Sequence, residues 1–224
     1  MHNEDRSSFS VFRATSTKAV LLLTIVFAPL VMAGQSSGAP PSPSATPNRA
    51  LVTVDSLAGP WLVSLNPDYD YGIHDNNGPA IVNEANSGIA FVPGKVLTII
   101  YVSGLVSAGA AFGWPYADAN GYVHDIWGCG DGLRDHGTSG TAFPCVYTDP
   151  NKKTYLIELM GVFADSNGVI VGKPFGIGDG PYQVAIPAGA TQLQLGITDD
   201  SYWDNTGSFL ILVLHIGPNV SSSE

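Results

Sequence analysis

The chain has 224 residues, of which 45% are apolar and only 12% are charged, a composition that supports a buried core and excludes a wholly disordered chain. A formal net charge of −10, with only nine Lys and Arg, argues against electrostatic binding to nucleic acid or to an anionic membrane. The 26 Gly and 16 Pro residues predict many turns.

Residues 1–33 have the layout of a signal peptide. A polar, basic stretch up to Lys18 precedes about fifteen mostly apolar residues, Ala19–Ala33, which end in Val-Met-Ala. A membrane-spanning helix needs roughly 20 apolar residues, and Pro29 interrupts this run. We therefore expect export to a secreted, periplasmic or cell-surface location. An uncleaved segment that anchors the chain in a membrane is the alternative.

The next segment, residues 34–50, is rich in Pro, Ser and Gly and predicts a disordered linker. A single domain is predicted over residues 51–217, followed by a flexible tail over residues 218–224. Within the domain, short apolar runs alternate with Gly and Pro turns, which is typical of an all-β, antiparallel β-sandwich with long Gly-rich loops and almost no helix. The runs are Leu51–Val54, Trp61–Leu65, Ile89–Phe91, Val96–Val102, Tyr155–Phe163, Val169–Val171, Tyr182–Ile186, Gln192–Ile197 and Phe209–Ile216.

Cys129 and Cys145 are the only cysteines. In an exported chain they predict one disulfide, because the compartment is oxidising. Two cysteines alone do not make a zinc site, which needs four ligands. The bracketed segment has little strand or helix pattern. The disulfide could position it for binding, or could simply help it to stay folded.

Acidic residues are concentrated in the stretch Thr198–Phe209, which separates two predicted strands. Asp199, Asp200, Asp204 and Asn205 lie within seven residues, and the three carboxylates repel one another unless a counter-ion is present. Calcium prefers carboxylate, amide and carbonyl oxygens, and this loop offers all three. An ordinary polar turn is the alternative, because Asp, Asn and Gly favour turns in any case.

Three motifs carry a resemblance to a known family: Pro93-Gly94-x-Val96-x-Thr98-Ile99, Ser107-x-Gly109, and Asp199 followed by Asp204-Asn205-Thr206-Gly207-Ser208-Phe209. The chain resembles the PA-I-like galactophilic bacterial lectins, which bind galactosides through calcium, over about residues 94–216. The resemblance implies a sandwich of the jelly-roll or galactose-binding-like type.

The resemblance also implies a ligand set for Ca²⁺. Asp199 matches the first calcium carboxylate of the family, and Asp204 and Asn205 match its paired side-chain ligands. The backbone carbonyls of Ser201 and Ala108 match the two that complete the shell. Asp204 stands where the best-known member has Asn, so the implied site is more anionic.

Further residues are implied to contact the sugar. His136 and Ser139 match a sugar-contacting loop of the family, although a surface histidine in a polar loop is the alternative. Trp203 is a candidate for stacking on a sugar ring, because it lies within the acidic loop. Asp200 has no counterpart in the family and is interpreted as a solvated carboxylate or as a support for the ligands.

The sequence thus predicts a non-enzymatic, calcium-dependent protein that binds a neutral, galactose-like sugar on a carbohydrate or glycoconjugate, and that could form a homo-oligomer. One alternative is an exported structural domain whose calcium only stiffens a loop. Another is a hydrolase acting on glycans that pairs Glu158 with an aspartate. The predicted domain, residues 51–217, has neither a G-x-S-x-G nor an H-E-x-x-H motif to support catalysis.

Overall fold

The computed structural model describes residues 49–215, in which β-strands are the main secondary structure. The predicted signal peptide (1–33), most of the predicted linker (34–50) and the predicted tail (218–224) lie outside the described residues. The strands are β1 (Arg49–Asp55), β2 (Ala80–Asn83), β3 (Val96–Ala108), β4 (Gly128–Cys129), β5 (Thr154–Tyr155), β6 (Leu159–Ala164), β7 (Ile170–Gly176), β8 (Tyr182–Ala185), β9 (Gln192–Ile197) and β10 (Asn205–His215), with one α-helix, α1 (Glu84–Ser87).

Two antiparallel four-stranded sheets form the domain, in the orders β1-β10-β3-β8 and β2-β9-β6-β7. β10 illustrates the alternation expected of a strand that covers a core, since Phe209, Ile211 and Val213 are buried and their neighbours are less so. Side chains from both sheets belong to the same buried cluster. The predicted all-β, sandwich-like fold is therefore confirmed.

The central strands β6 and β9 are buried along their whole length. The segment 56–79 contributes to the burial of β9, because it lies directly against that strand. The N–H of Ile197 donates to the carbonyl of Ala58 at 2.9 Å, and a Cβ on Gly196 would lie 2.4 Å from the backbone of Gly59. This close approach explains why β9 carries glycine at that position.

Several predicted runs end differently in the structure. β1 begins at Arg49, inside the predicted linker, because Arg49 pairs with Leu214. The run Trp61–Leu65 is not a strand but ends in a short 3-10 helix. The run Tyr155–Phe163 is interrupted by Ile157, whose φ of 58° breaks the extended conformation between β5 and β6.

The predicted disulfide between Cys129 and Cys145 is confirmed. Both residues are buried, and Cys129 lies in β4, which pairs with β5 in a separate two-stranded sheet. The bridge closes the loop that carries His136 and Ser139. Among the described residues, no helix is long and apolar enough to cross a membrane.

Candidate metal and ligand site

The candidate site is built on the loop that joins β9 to β10. Asp199 folds this loop back on itself, because its Oδ1 accepts hydrogen bonds from the backbone N–H groups of Asp200 at 2.7 Å and Ser201 at 3.3 Å. Short polar side chains favour such local bonds in turns. β10 then begins with Asn205, which pairs with Ala108 at the end of β3. The loop therefore lies at the edge where β3 ends and β10 begins.

Besides the hydroxyl of Thr198, two buried oxygen atoms of this loop have no hydrogen-bond partner: Oδ2 of Asp199 and Oδ1 of Asn205. The amide nitrogen of Asn205 donates to the carbonyl of Ser56 at 3.1 Å, so only its oxygen is left without a partner. Buried polar atoms are normally paired, and leaving one unpaired costs about 1–3 kcal/mol. Both atoms are acceptors, so a cation or a donor would satisfy them.

The carboxylates of the loop carry an electrostatic cost as well. Burial raises the pKa of Asp199 to about 8, against a lowering effect of the Asn205 amide and the neighbouring N–H groups, and the charge of Asp200 raises it further. Burial also raises the pKa of Asp204, and the charges of Asp75 and Asp200 add to that effect. A cation bound among these groups would stabilise the ionised carboxylates, and so would offset both the effect of burial and the repulsion between the neighbouring charges.

Four of the five predicted calcium ligands, Ala108, Asp199, Ser201 and Asp204, line one pocket of about 110 Å³. The fifth, Asn205, does not line it but is the cross-strand neighbour of Ala108. The rest of the lining is mostly apolar or uncharged and comprises Trp114, Trp127, Gly137, Thr138, Phe143 and Leu156, with the carboxylate of Asp200. The pocket thus has a carboxylate-rich part and an aromatic part.

The residues predicted to contact the sugar do not line the pocket. His136 and Ser139 are exposed and do not line the pocket, whereas Gly137 and Thr138 of the same loop do. Trp203 does not line the pocket either, and its side chain is 65% exposed. The structure thus brings four of the five predicted calcium ligands together at one pocket, whereas none of the three predicted sugar contacts lines it.

Asp200 is buried, which rules out its interpretation as a solvated carboxylate. Its Oδ2 accepts hydrogen bonds from both the backbone N–H, at 3.1 Å, and the hydroxyl of Ser139. A Cβ on Gly137 would lie 2.0 Å from the Asp200 carboxyl carbon, so any larger residue there would have to displace the Asp200 carboxylate. Asp200 therefore ties the disulfide-closed loop to the acidic loop.

Asp75 is a residue of the site that sequence reasoning missed. Its carboxylate accepts hydrogen bonds from the N–H of Tyr202 at 3.0 Å, the N–H of Trp203 at 3.2 Å and the hydroxyl of Ser201 at 3.2 Å. The neighbouring Ile73 donates its N–H to the carbonyl of Asp200 at 2.9 Å. The segment 72–75 therefore fixes the backbone of the acidic loop. No local motif signals these contacts, which join residues more than a hundred positions apart.

Glu158 lies elsewhere. It is buried beside a second pocket of about 90 Å³, and its Oε2 accepts a hydrogen bond from the N–H of Tyr155 at 2.8 Å. Burial raises the pKa of Glu158 to about 8, partly offset by that hydrogen bond. Glu158 and Asp199 line different pockets, so these two carboxylates do not face a common cavity.

Within residues 49–215, no three His, Cys, Asp or Glu side chains form a group that could hold a metal ion by themselves. A cation at the acidic loop would therefore also need amide and carbonyl oxygens, which Asn205, Ala108 and Ser201 offer. Comparisons of the chain with protein-family models, with curated proteins and with solved structures gave no match.

Proposed function

We propose that this protein binds a neutral, galactose-like carbohydrate in a calcium-dependent manner. The observation that carries the proposal is the pair of buried, unpartnered acceptors, Asp199 Oδ2 and Asn205 Oδ1. They belong to a loop whose other predicted ligands line a single pocket. The donor set is all oxygen, which suits calcium better than a transition metal.

In this proposal, calcium is held by the side chains of Asp199, Asp204 and Asn205 and by the carbonyls of Ser201 and Ala108. The resemblance to the PA-I-like lectins supports the same five residues. A bound calcium ion supplies positive charge and free coordination positions to which a sugar diol can bind. The chain's own residues hold the ion in place and shape the pocket around the sugar.

The rest of the pocket supports a neutral sugar. Trp114 and Trp127 offer apolar ring surface, and Thr138 offers a hydroxyl. The carboxylates of Asp200 and Asp204 disfavour an anionic ligand by like-charge repulsion. A neutral polyol with an apolar face fits both halves of this lining.

Export remains part of the proposal. The disulfide supports an oxidising compartment, since such bridges are rare in the cytosol. We place the protein in a secreted, periplasmic or cell-surface location, with no catalytic role.

Calcium titration by calorimetry, followed by a monosaccharide panel with and without EDTA, tests the proposal. The variant Asp199→Asn should lose calcium binding and the calcium-induced rise in Tm, because it removes one ligand charge while preserving size. Asp179→Asn, in the exposed turn between β7 and β8, is the matched control and should behave as wild type. Wild-type calcium binding by Asp199→Asn would show that the site is misplaced.

A second function, a calcium-stiffened structural domain, is favoured by one observation. The unpartnered oxygens are buried and the loop is already held by Asp75, so an ion there would stabilise the fold without any sugar. Calcium binding with no response to any sugar of the panel would identify this alternative.

A further inference from the structure

Two large aromatic side chains stand exposed beside the pocket. Trp203 is 65% exposed and Phe112 is 62% exposed, and their ring centroids are 5.8 Å apart with an interplanar angle of 74°. Exposed apolar side chains scattered singly need no explanation, whereas these two rings contact each other and so form a small apolar patch. The pair is formed by two separate elements, the acidic loop and the short 3-10 helix Ala110–Phe112 that follows β3.

The pair borders the proposed sugar pocket. Trp203 immediately precedes Asp204 in the chain, and Asp204 lines the pocket. A Cβ on Gly109 would lie 3.2 Å from Oδ2 of Asp204, 3.4 Å from the Phe112 ring and 3.4 Å from the Trp114 ring. Phe112 therefore approaches the same glycine as Asp204 and Trp114, two residues that line the pocket.

The backbone of the acidic loop at this point is fixed. Asp75 accepts a hydrogen bond from the N–H of Trp203 at 3.2 Å, and so holds the residue at the site while its indole extends outward. Phe112 follows Gly109, whose carbonyl accepts a hydrogen bond from the N–H of Phe112 at 2.9 Å. Rings presented from restrained backbone lose little conformational freedom on binding, which favours their use as contacts.

We propose that Phe112 and Trp203 form a second subsite, which packs against the ring next to the sugar held in the pocket. The subsite rests on the proposed function and gives it a substrate class: galactosides that carry a second sugar or another neutral ring. The pocket of about 110 Å³ is small, so a second ring must lie outside it, where the two exposed aromatic rings stand. Sugar rings present C–H faces that pack on aromatic rings. A lipid surface is the less favoured partner, because the carboxylates of Asp204 and Asp75 lie near the pair and the chain has only nine Lys and Arg.

The test compares the affinities for lactose and for methyl β-galactoside, measured by calorimetry in calcium. Wild-type protein should bind lactose more tightly. Trp203→Ala and Phe112→Ala should each reduce the ratio of the two affinities by about three- to tenfold, because an aromatic contact is lost. Phe112→Ala leaves the acidic loop unaltered in sequence, so its effect does not pass through the calcium ligands. Tyr116→Ala, an exposed aromatic residue outside the pair, is the matched control and should keep the wild-type ratio.

The outcomes separate this proposal from the one on which it rests. If wild-type protein binds neither probe in calcium, the proposed function fails and the subsite falls with it. If it binds both probes with one affinity, or if both variants keep the wild-type ratio, the subsite is wrong and the sugar pocket stands. Binding to phosphatidylcholine vesicles that is lost in Trp203→Ala would overturn the subsite in favour of a membrane contact.

Discussion

At the scale of single residues, the candidate site combines buried charge with unpartnered oxygen atoms. Asp199 is buried, and its Oδ1 accepts a hydrogen bond from the N–H of the next residue, while its Oδ2 has no partner. Asp200, its neighbour, accepts hydrogen bonds from the backbone N–H and the hydroxyl of Ser139 through Oδ2. Adjacent aspartates thus have different roles: Asp199 is left free to bind a ligand, and Asp200 connects two loops. Composition alone does not distinguish them.

Asp75 provides the sharpest test at this scale. Asp75→Asn removes the charge and at least one acceptor for three donors of the acidic loop, so the loop should be held less firmly. We expect calcium binding to weaken by about tenfold and the free energy of unfolding to fall by about 1–2 kcal/mol. Calorimetry and urea unfolding measure the two effects.

The control for this change lies in the same segment. Asp70→Asn affects an exposed contact with His74, which should contribute little to stability. Equal losses of calcium affinity and stability in the Asp70 and Asp75 variants would mean that any substitution in this segment has the same effect. Asp75 would then not position the loop.

At the scale of elements, the acidic loop depends on two other segments. The segment 56–79 covers the outer face of β9 and ends in the Asp75 contacts, while the disulfide-closed loop contacts Asp200 through Gly137 and Ser139. Both supports are distant in sequence from the loop that they hold. Loops positioned by a rigid scaffold in this way commonly carry binding residues.

Reduction of the disulfide tests one of these supports. The Cys129–Cys145 bridge has a sequence separation of 16, and its loss should lower the free energy of unfolding by about 3 kcal/mol. Urea unfolding with and without a reductant measures the difference. The double variant Cys129→Ala, Cys145→Ala should show no response to the reductant. Two reactive thiols in the purified, unreduced protein would refute the bridge.

The elements that the sequence predicted are those with a local signal. The β-branched run Val96–Val102 and the alternating run Gln192–Ile197 both lie in strands. β2 was missed, because its four residues carry too little pattern, and pairing with β9 decides its conformation. β3 extends beyond the predicted run because Gly104 permits close approach to β10, where a Cβ would lie 2.1 Å from the carbonyl oxygen of Ser208.

The residues of the candidate site also differ in whether the sequence alone could predict them. Asp199, Asp204 and Asn205 share one hairpin, so their proximity could be read directly from the chain. Asp75 could not be found, because its contacts depend on how the covering segment folds over the sheet. The burial of Asp200 was equally out of reach, since it requires the disulfide-closed loop to lie against it.

At the scale of the whole molecule, stability should depend on pH through carboxyl groups that the fold buries. Glu158 is the clearest case outside the acidic loop, with a pKa raised by burial from about 4.5 to about 8. Its pocket is also lined by Asp149, Lys152 and Lys153, and the hydrogen bond from the N–H of Tyr155 partly favours the ionised form of Glu158.

Between these two pKa values the folded protein holds a proton on Glu158 that the unfolded chain has released. The contribution of Glu158 to the free energy of unfolding should therefore be highest below about pH 4.5. It should fall as pH rises and level off above about pH 8. We expect a loss on the order of a few kcal/mol from this group across that range.

Glu158→Gln should flatten the slope, because glutamine stays neutral and can still accept the hydrogen bond from Tyr155. Urea unfolding in EDTA, from pH 5 to pH 9, measures the slope without metal. The exposed Glu84→Gln serves as the control and should retain the wild-type slope. A Glu158→Gln protein with an unchanged slope would mean that Glu158 titrates near its ordinary pKa and that its burial carries no linked proton.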